Sequence, residues 1–244
     1  MRKTYVSIFL FFTALLTSGS ICAADNPSHA TADSVSPQEA IALLKTGNAR
    51  FVSSQLVHPH KDRERILDTE TNGQHPFVTI LACSDSRLPL DTIFDQGIGD
   101  IFAVRVAGNV NGPAQIGSLE YGVEHTGAKL LVVLGHTKCG AVTAACTTSG
   151  ENDGNLSPLL RAIRPAVRKM EQETGKSAKE IIDQCSKENV FLQIESIFKT
   201  SKILREESRK GNVQIVGAMY DIHTGKVEFY GQHPQTAALV KETE

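Results

Sequence analysis

The sequence predicts an α/β fold: one domain around a central, mostly parallel sheet. Four short apolar runs, 77–82, 101–106, 130–134 and 213–220, are nearly unbroken by polar residues, as strands covered on both faces require. Helical patterns lie between them, and that alternation implies parallel strands joined by right-handed crossovers. With 244 residues, 41% of them hydrophobic, the chain is long enough for one large core. The expected architecture is four strands plus an antiparallel edge strand, flanked by helices, with an N-terminal helical arm, over residues 36–244.

The first residues read as an address. Met1-Arg2-Lys3 is a short cationic start, an apolar run extends from Tyr5 to Leu16, and small residues lead to Cys22-Ala23-Ala24. This is the pattern of a cleavable secretory signal peptide over 1–24, cut after Ala24. The apolar run is shorter than a membrane span needs, so no stable membrane anchor is expected. Cleavage would remove Arg2, Lys3 and no acid, taking the formal net charge from -2 to -4 and leaving Cys83, Cys139, Cys146 and Cys185. Export implies an oxidising compartment, here the bacterial periplasm, where a free thiol needs a reason to stay free. Residues 25–35 are polar and read as a flexible leader.

The domain then opens with a helix start. Ser36 is the N-cap, Pro37 takes the first helical position and Glu39 closes a capping box. Ile41, Leu43 and Leu44 give this helix an apolar face, and Gly47-Asn48 is expected to stop or bend it. A second helix is expected over 62–68. Arg105, inside the second strand pattern, reads as structural, paired with a carboxylate or backbone carbonyl. Further helices are expected over 114–126, 141–147, 159–173 with a kink at Pro165, and 178–206. The last strand turns back at His223-Thr224-Gly225-Lys226 and pairs with 227–230 as the antiparallel edge.

Composition excludes several roles. Lys plus Arg is 25 and Asp plus Glu is 27, so there is no basic excess to neutralise a phosphate backbone, and no nucleic acid is expected as a partner. The absence of Trp removes the best stacking side chain as well. Five cysteines are too few for a disulfide scaffold of this length. Cys146 and Cys185 lie in helical stretches and read as buried thiols, a disulfide between them being left open.

Two segments carry the chemistry. Cys83-Ser84-Asp85-Ser86-Arg87 follows the first strand, and His136-Thr137-Lys138-Cys139-Gly140 follows the third. Ligands gather at the carboxyl ends of strands in open α/β sheets, so the two can converge although 53 positions separate Cys83 from His136. Two Cys, one His and one Asp make a four-ligand set suited to tetrahedral zinc (Zn2+). Cys83 and Asp85, two apart, point the same way from an extended loop. Cys139 falls near a helix N-terminus, where thiolate is favoured.

These two segments resemble the β-class carbonic anhydrases. The resemblance runs from about Ala40 to Tyr230 and includes Gly47-Asn48-Ala49-Arg50-Phe51, Phe94-Asp95-Gln96-Gly97, Val104-Arg105-Val106-Ala107-Gly108-Asn109, Ser118-Leu119-Glu120-Tyr121 and Gly217-Ala218-Met219-Tyr220-Asp221. It implies a zinc enzyme that interconverts carbon dioxide and bicarbonate by attack of a metal-activated hydroxide. It also implies a homodimer or homotetramer with active sites at the dimer interface. By matching position, Cys83, His136 and Cys139 are the metal ligands. Asp85 is a switch that either binds the metal or pairs with Arg87, leaving the fourth position to water. Gln74 matches the substrate-side amide donor, Phe102 and Tyr121 match apolar walls, and Ala107 stands where the family often has Val. The family's regulatory bicarbonate site needs a Trp where this chain has Ile80, so that site is not expected. The metal and the Asp-Arg pair fit equally a related zinc enzyme acting on another small linear molecule. A non-catalytic zinc site has no need of Arg87 or Gln74.

Overall fold

The structure, a computed structural model, describes residues 35–148 and 154–241. The signal peptide at 1–24 and all of the leader except Val35 lie outside the described residues, and Val35 itself is buried in the core.

Among the described residues the sheet has five strands: β1 (Val78–Ala82), β2 (Ile101–Arg105), β3 (Leu130–His136), β4 (Gln214–Tyr220) and β5 (Val227–Gly231). Their spatial order is β2-β1-β3-β4-β5; every pair is parallel except β4 with β5, which is antiparallel. The expected sheet of four strands plus an antiparallel edge strand is therefore the observed one. The order also locates a ligand crevice. From β1 the chain crosses to β2 on one side and later to β3 on the other, so the topology reverses at the carboxyl ends of β1 and β3.

The helices are α1 (Pro37–Val52), α2 (Arg63–Asn72), α3 (Leu90–Ile93), α4 (Pro113–Glu124), α5 (Gly140–Thr147), α6 (Leu156–Thr174), α7 (Ile182–Thr200), α8 (Lys202–Lys210) and α9 (Thr236–Leu239). They cover both sheet faces. One face packs Ile80, Val132 and Val216 against α1, α5 and α6; the other packs Leu81, Leu131, Val133 and Ile215 against α4, α7 and α8. Alternation along each strand puts neighbours on opposite faces, which is why both cores draw on the same strands. No helix among the described residues is long and apolar enough to cross a membrane.

Three expectations are corrected. Helix α1 does not stop at Gly47-Asn48. Both residues are buried there because α1 presses against the chain after α3: a Cβ on Gly47 would lie 1.7 Å from the Phe94 carbonyl oxygen. Asn48 Nδ2 donates to the Ile93 and Gly225 carbonyls, and its Oδ1 accepts from Val227 N–H at 2.9 Å. The glycine is thus a close-approach residue. Helix α2 runs to Asn72, beyond the expected 68. The expected helix over 178–206 is a short 3-10 turn (Ala178–Glu180), then α7, then α8. Ser201 ends α7 and caps α8, its hydroxyl accepting from Leu204 N–H while donating to Glu120 on α4. Helix α6 continues through Pro165.

Candidate metal centre

Cys83 is the first residue past β1 and His136 the last of β3. Ala82 is in register with Leu134, which sets Cys83 beside the end of β3. Cys139 is the N-cap of α5. The ligand atoms of Cys83, His136 and Cys139 all lie within 4.8 Å of one another, and all three residues are buried. The sequence prediction that distant segments converge is met by these three.

The atoms are prepared for a cation. His136 Nδ1 lies 2.9 Å from the Thr137 carbonyl oxygen, which can only accept, so Nδ1 carries the proton and Nε2 presents a lone pair. That Nε2 is buried and makes no hydrogen bond, a costly arrangement unless something electrophilic sits against it. The Cys83 sulfur accepts from Gly108 N–H at 3.2 Å. Gly108 has φ +72°, and a Cβ there would meet Ile163 and Ala141, so the turn that offers this N–H admits only glycine. The Cys139 thiol, then the Gly108 and Asp85 backbone amides, hold the Cys83 thiol well below its ordinary value. The same pairing with Cys83, together with burial, pushes Cys139 up, against the Val142 and Ala141 amides at the start of α5. One thiolate of the pair is thus favoured over two, and a bound cation would favour both. Two thiolates and one imidazole nitrogen are the soft donor set that zinc takes. Among the described residues this is the one cluster of its kind.

Asp85 and Arg87 stand over the cluster. Arg87 Nε donates to Asp85 Oδ1 at 2.9 Å, Nη2 to Oδ2 at 2.7 Å, and the Arg87 backbone N–H to Oδ1 at 3.0 Å. This bidentate grip, with the Arg87 backbone N–H assisting, holds the Asp85 carboxyl well below the usual carboxylate range. Asp85 Oδ2 is 3.9 Å from His136 Nε2, facing the cluster without joining it. Arg105, as expected, serves the backbone: Nε donates to the Cys83 carbonyl at 3.1 Å and Nη2 to the Asp85 carbonyl at 2.8 Å.

The expected pocket residues divide. Ala107, partly buried, immediately precedes Gly108 and so borders the cluster. Phe102, Tyr121 and Gln74 do not reach the cluster of their own chain. Phe102 is in register with Thr79, four residues before Cys83, or ~13 Å along the strand. The Tyr121 ring packs on Phe102 with centroids 5.9 Å apart. Gln74 precedes β1 altogether and is exposed. These three collect at the amino end of β1 and β2, opposite the cysteines.

Sequence reading alone missed Asn189, whose Nδ2 donates to the Gly108 carbonyl at 2.9 Å, and Asp183, which accepts from Lys138 N–H at 2.7 Å. Both lie on α7, and no local pattern marks a helix residue that serves a loop remote in sequence. Cys146 and Cys185 are free thiols. Burial, with the neighbouring Cys185, pushes Cys146 up to about 12, and burial raises Cys185.

Comparison with known proteins agrees with this geometry. Residues 78–227 match the family model described as carbonic anhydrase. A carbonic anhydrase of Mycolicibacterium smegmatis is 34% identical over 195 residues, covering 79% of this chain and 92% of the relative. The solved β-carbonic anhydrase CafA of Aspergillus fumigatus superposes with a TM-score of 0.65 at 27% identity, covering 85% of this chain and 99% of that one. One of two tetrameric β-carbonic anhydrases from Sordaria macrospora gives 0.62 at 26% identity, covering 69% and 87%. A zinc-type centre at the switch point of a mostly parallel sheet, with a carboxylate held beside it, is the site of a metal-dependent enzyme, and the relatives make that enzyme a lyase. The chain belongs to the carbonic anhydrase family, in its β class.

Proposed function

We propose that this chain hydrates carbon dioxide reversibly to bicarbonate and a proton at the Cys83–His136–Cys139 centre. The observation that carries this is the buried, hydrogen-bond-free His136 Nε2 beside two cysteine sulfurs, with a carboxylate held 3.9 Å away. Zn2+, when bound by Cys83, His136 and Cys139, supplies the Lewis acidity that makes water a nucleophile near neutral pH. The protein does the rest. Arg87 keeps the Asp85 carboxylate off the ligand cluster, so the fourth position stays available. Asp85, ionised and facing the cluster, would accept a hydrogen bond from the attacking water and orient it, the proton itself leaving to buffer. Arg105 fixes the Cys83 and Asp85 carbonyls, so ligand and hydrogen-bond acceptor keep one geometry. Ala107, next to Gly108, would present a small apolar side chain to the substrate. Stopped-flow carbon dioxide hydration by the zinc-loaded protein is the direct test. No rate above buffer from a stoichiometrically loaded protein refutes the reading; carbon disulfide turnover without carbon dioxide turnover selects the alternative substrate.

The active unit we propose is a dimer or tetramer in which a second copy brings its Gln74, Phe102 and Tyr121 to this centre. β2 is the outer strand of the sheet, and Tyr121, Ile66, Leu67 and Ile98 are exposed on the elements around its amino end. Arg65 ties α2 to that end through the Ile98 carbonyl. An apolar surface of this kind suits burial against another copy, and the Sordaria relatives are described as tetrameric. Gln74 would then donate to the developing bicarbonate oxygen, and Phe102 and Tyr121 would wall the substrate slot. Mixing Cys139→Ala with Gln74→Ala chains tests this. Shared sites give mixed dimers with one intact centre and recovered activity; self-contained sites give none.

We also infer export to the periplasm through the cleavable segment 1–24, supported by its cationic start, apolar run and small residues before Asp25. Mature protein beginning at Asp25 in the osmotic-shock fraction bears this out; full-length chain confined to the cytoplasm refutes it.

A further inference from the structure

Lys138 lies between two metal ligands and adopts φ +54°, the left-handed region that side chains other than glycine, Asn and Asp rarely occupy. Its peptide is gripped from both sides. The Asp183 carboxylate accepts the Lys138 N–H at 2.7 Å, and the Lys138 carbonyl accepts from Arg87 Nη2 at 3.3 Å. That same Nη2 donates to Asp85 Oδ2 at 2.7 Å. One chain of contacts thus runs from α7 through the Lys138 peptide and the Arg87 guanidinium to the carboxylate beside the ligand cluster.

We propose that Asp183 is a positioning residue: through the Lys138 peptide it fixes where Arg87 stands, and so how firmly Asp85 is held off the metal centre. The physical need is specific. A non-glycine left-handed residue relaxes unless its surroundings hold it. If Lys138 relaxes, its carbonyl leaves Arg87, and the guanidinium loses one of the two anchors that orient it. Asp85, tethered by a freer arginine, can then swing the 3.9 Å toward the cluster. The helix that holds Lys138 also holds the other side of the centre, since Asn189 on α7 bonds the Gly108 carbonyl behind Cys83. Helix α7 is therefore the common frame for both ligand-bearing loops.

A purely structural reading exists: Asp183 is an acid in the first turn of α7, where negative charge favours the helix dipole. Two substitutions separate the readings, because they invert. Asp183→Asn removes the charge but keeps an oxygen acceptor at the same reach. Asp183→Glu keeps the charge but misplaces the acceptor by one methylene. Positioning requires Asn to work and Glu to fail; a dipole role requires the reverse.

The experiment measures two things on zinc-loaded full-length protein. The first is hydrogen exchange of the Lys138 amide, repeated on metal-free protein, which reads the bond with no turnover involved. The second is kcat and KM for carbon dioxide hydration. Asp183→Glu should speed Lys138 amide exchange and lower kcat about 10-fold with KM little changed, and Asp183→Asn should restore both toward the parent. Lys138→Gly, which removes the left-handed penalty, should recover turnover when combined with Asp183→Glu. Overturning results are a Glu variant that matches the parent, an Asn variant as impaired as Glu, or no recovery on adding Lys138→Gly. The proposal rests on the roles given above to Asp85 and Arg87. If those are wrong, exchange still follows the Glu/Asn order while kcat does not; if the Asp183 bond is unimportant, exchange itself stays unchanged.

Discussion

Asp85 is the residue to which the proposed reaction gives the central role, and its environment says how it behaves. Arg87 lowers its carboxyl far enough that it stays ionised throughout the neutral range. The sign follows: the pair stabilises the folded state above the ordinary carboxylate pKa of about 4 and loses that contribution as pH falls through the depressed folded value. Since Arg87 grips Asp85 and holds its Oδ2 3.9 Å from His136 Nε2, Asp85→Ala should keep stoichiometric metal while turnover falls by a factor on the order of 100 or more. Elemental analysis beside the hydration assay checks both halves, and a fully active variant would remove Asp85 from the mechanism. The cysteines give a second outcome. With metal stripped by a chelator at pH 6, iodoacetamide should modify Cys83, held low by the Cys139 thiol and the backbone amides, before Cys146, pushed up by burial. Accessibility alone predicts the opposite order, because Cys83 is buried and Cys146 only partly so. Peptide mass mapping decides.

Among the elements, the strands and the starts of some helices are legible in the sequence, while the ends of α2 and α7 are not. Each strand run is apolar on both faces because each packs between two helical layers, and that pattern needs no partner to be seen. The α1 capping box was equally local: Ser36 accepts from Glu39 N–H, and the Glu39 carboxylate answers to Ser36 N–H at 2.8 Å. Gly47-Asn48 misled because its signal is ambiguous: the same dipeptide can break a helix or let one helix touch another backbone. Tertiary contact chose the second. Gly47→Ala should therefore destabilise, although alanine is the better helix former, because its Cβ would fall 1.7 Å from the Phe94 oxygen. A loss of about 1–3 kcal/mol is expected from such overpacking. Urea unfolding measures it, and a stabilised variant would show that α1 can move off α3. The break at Ser201 escaped notice for a similar reason, since its hydroxyl partner Glu120 is 81 positions away.

For the whole molecule, charge at the centre sets the pH response. Two thiolates cancel the formal charge of Zn2+, so the water of this centre should ionise less readily than at a three-histidine site. Turnover should then rise from neutral toward alkaline pH, with Asp85 contributing no inflection there. A flat profile from about pH 6 to 9 would contradict this. The sequence by itself determined the α/β class, the strand runs and the identity of Cys83, His136, Cys139, Asp85 and Arg87, because apolar period and donor chemistry are properties of short segments. Tertiary structure alone decided that Phe102, Tyr121 and Gln74 lie at the far end of the sheet from their own chain's centre. It alone showed that Asn189 and Asp183 hold the loops which carry the ligands, and which carbonyls Arg105 bonds. The reason is physical: strand register and helix docking bring together groups dozens of residues apart, and nothing within either segment records which partner it will meet.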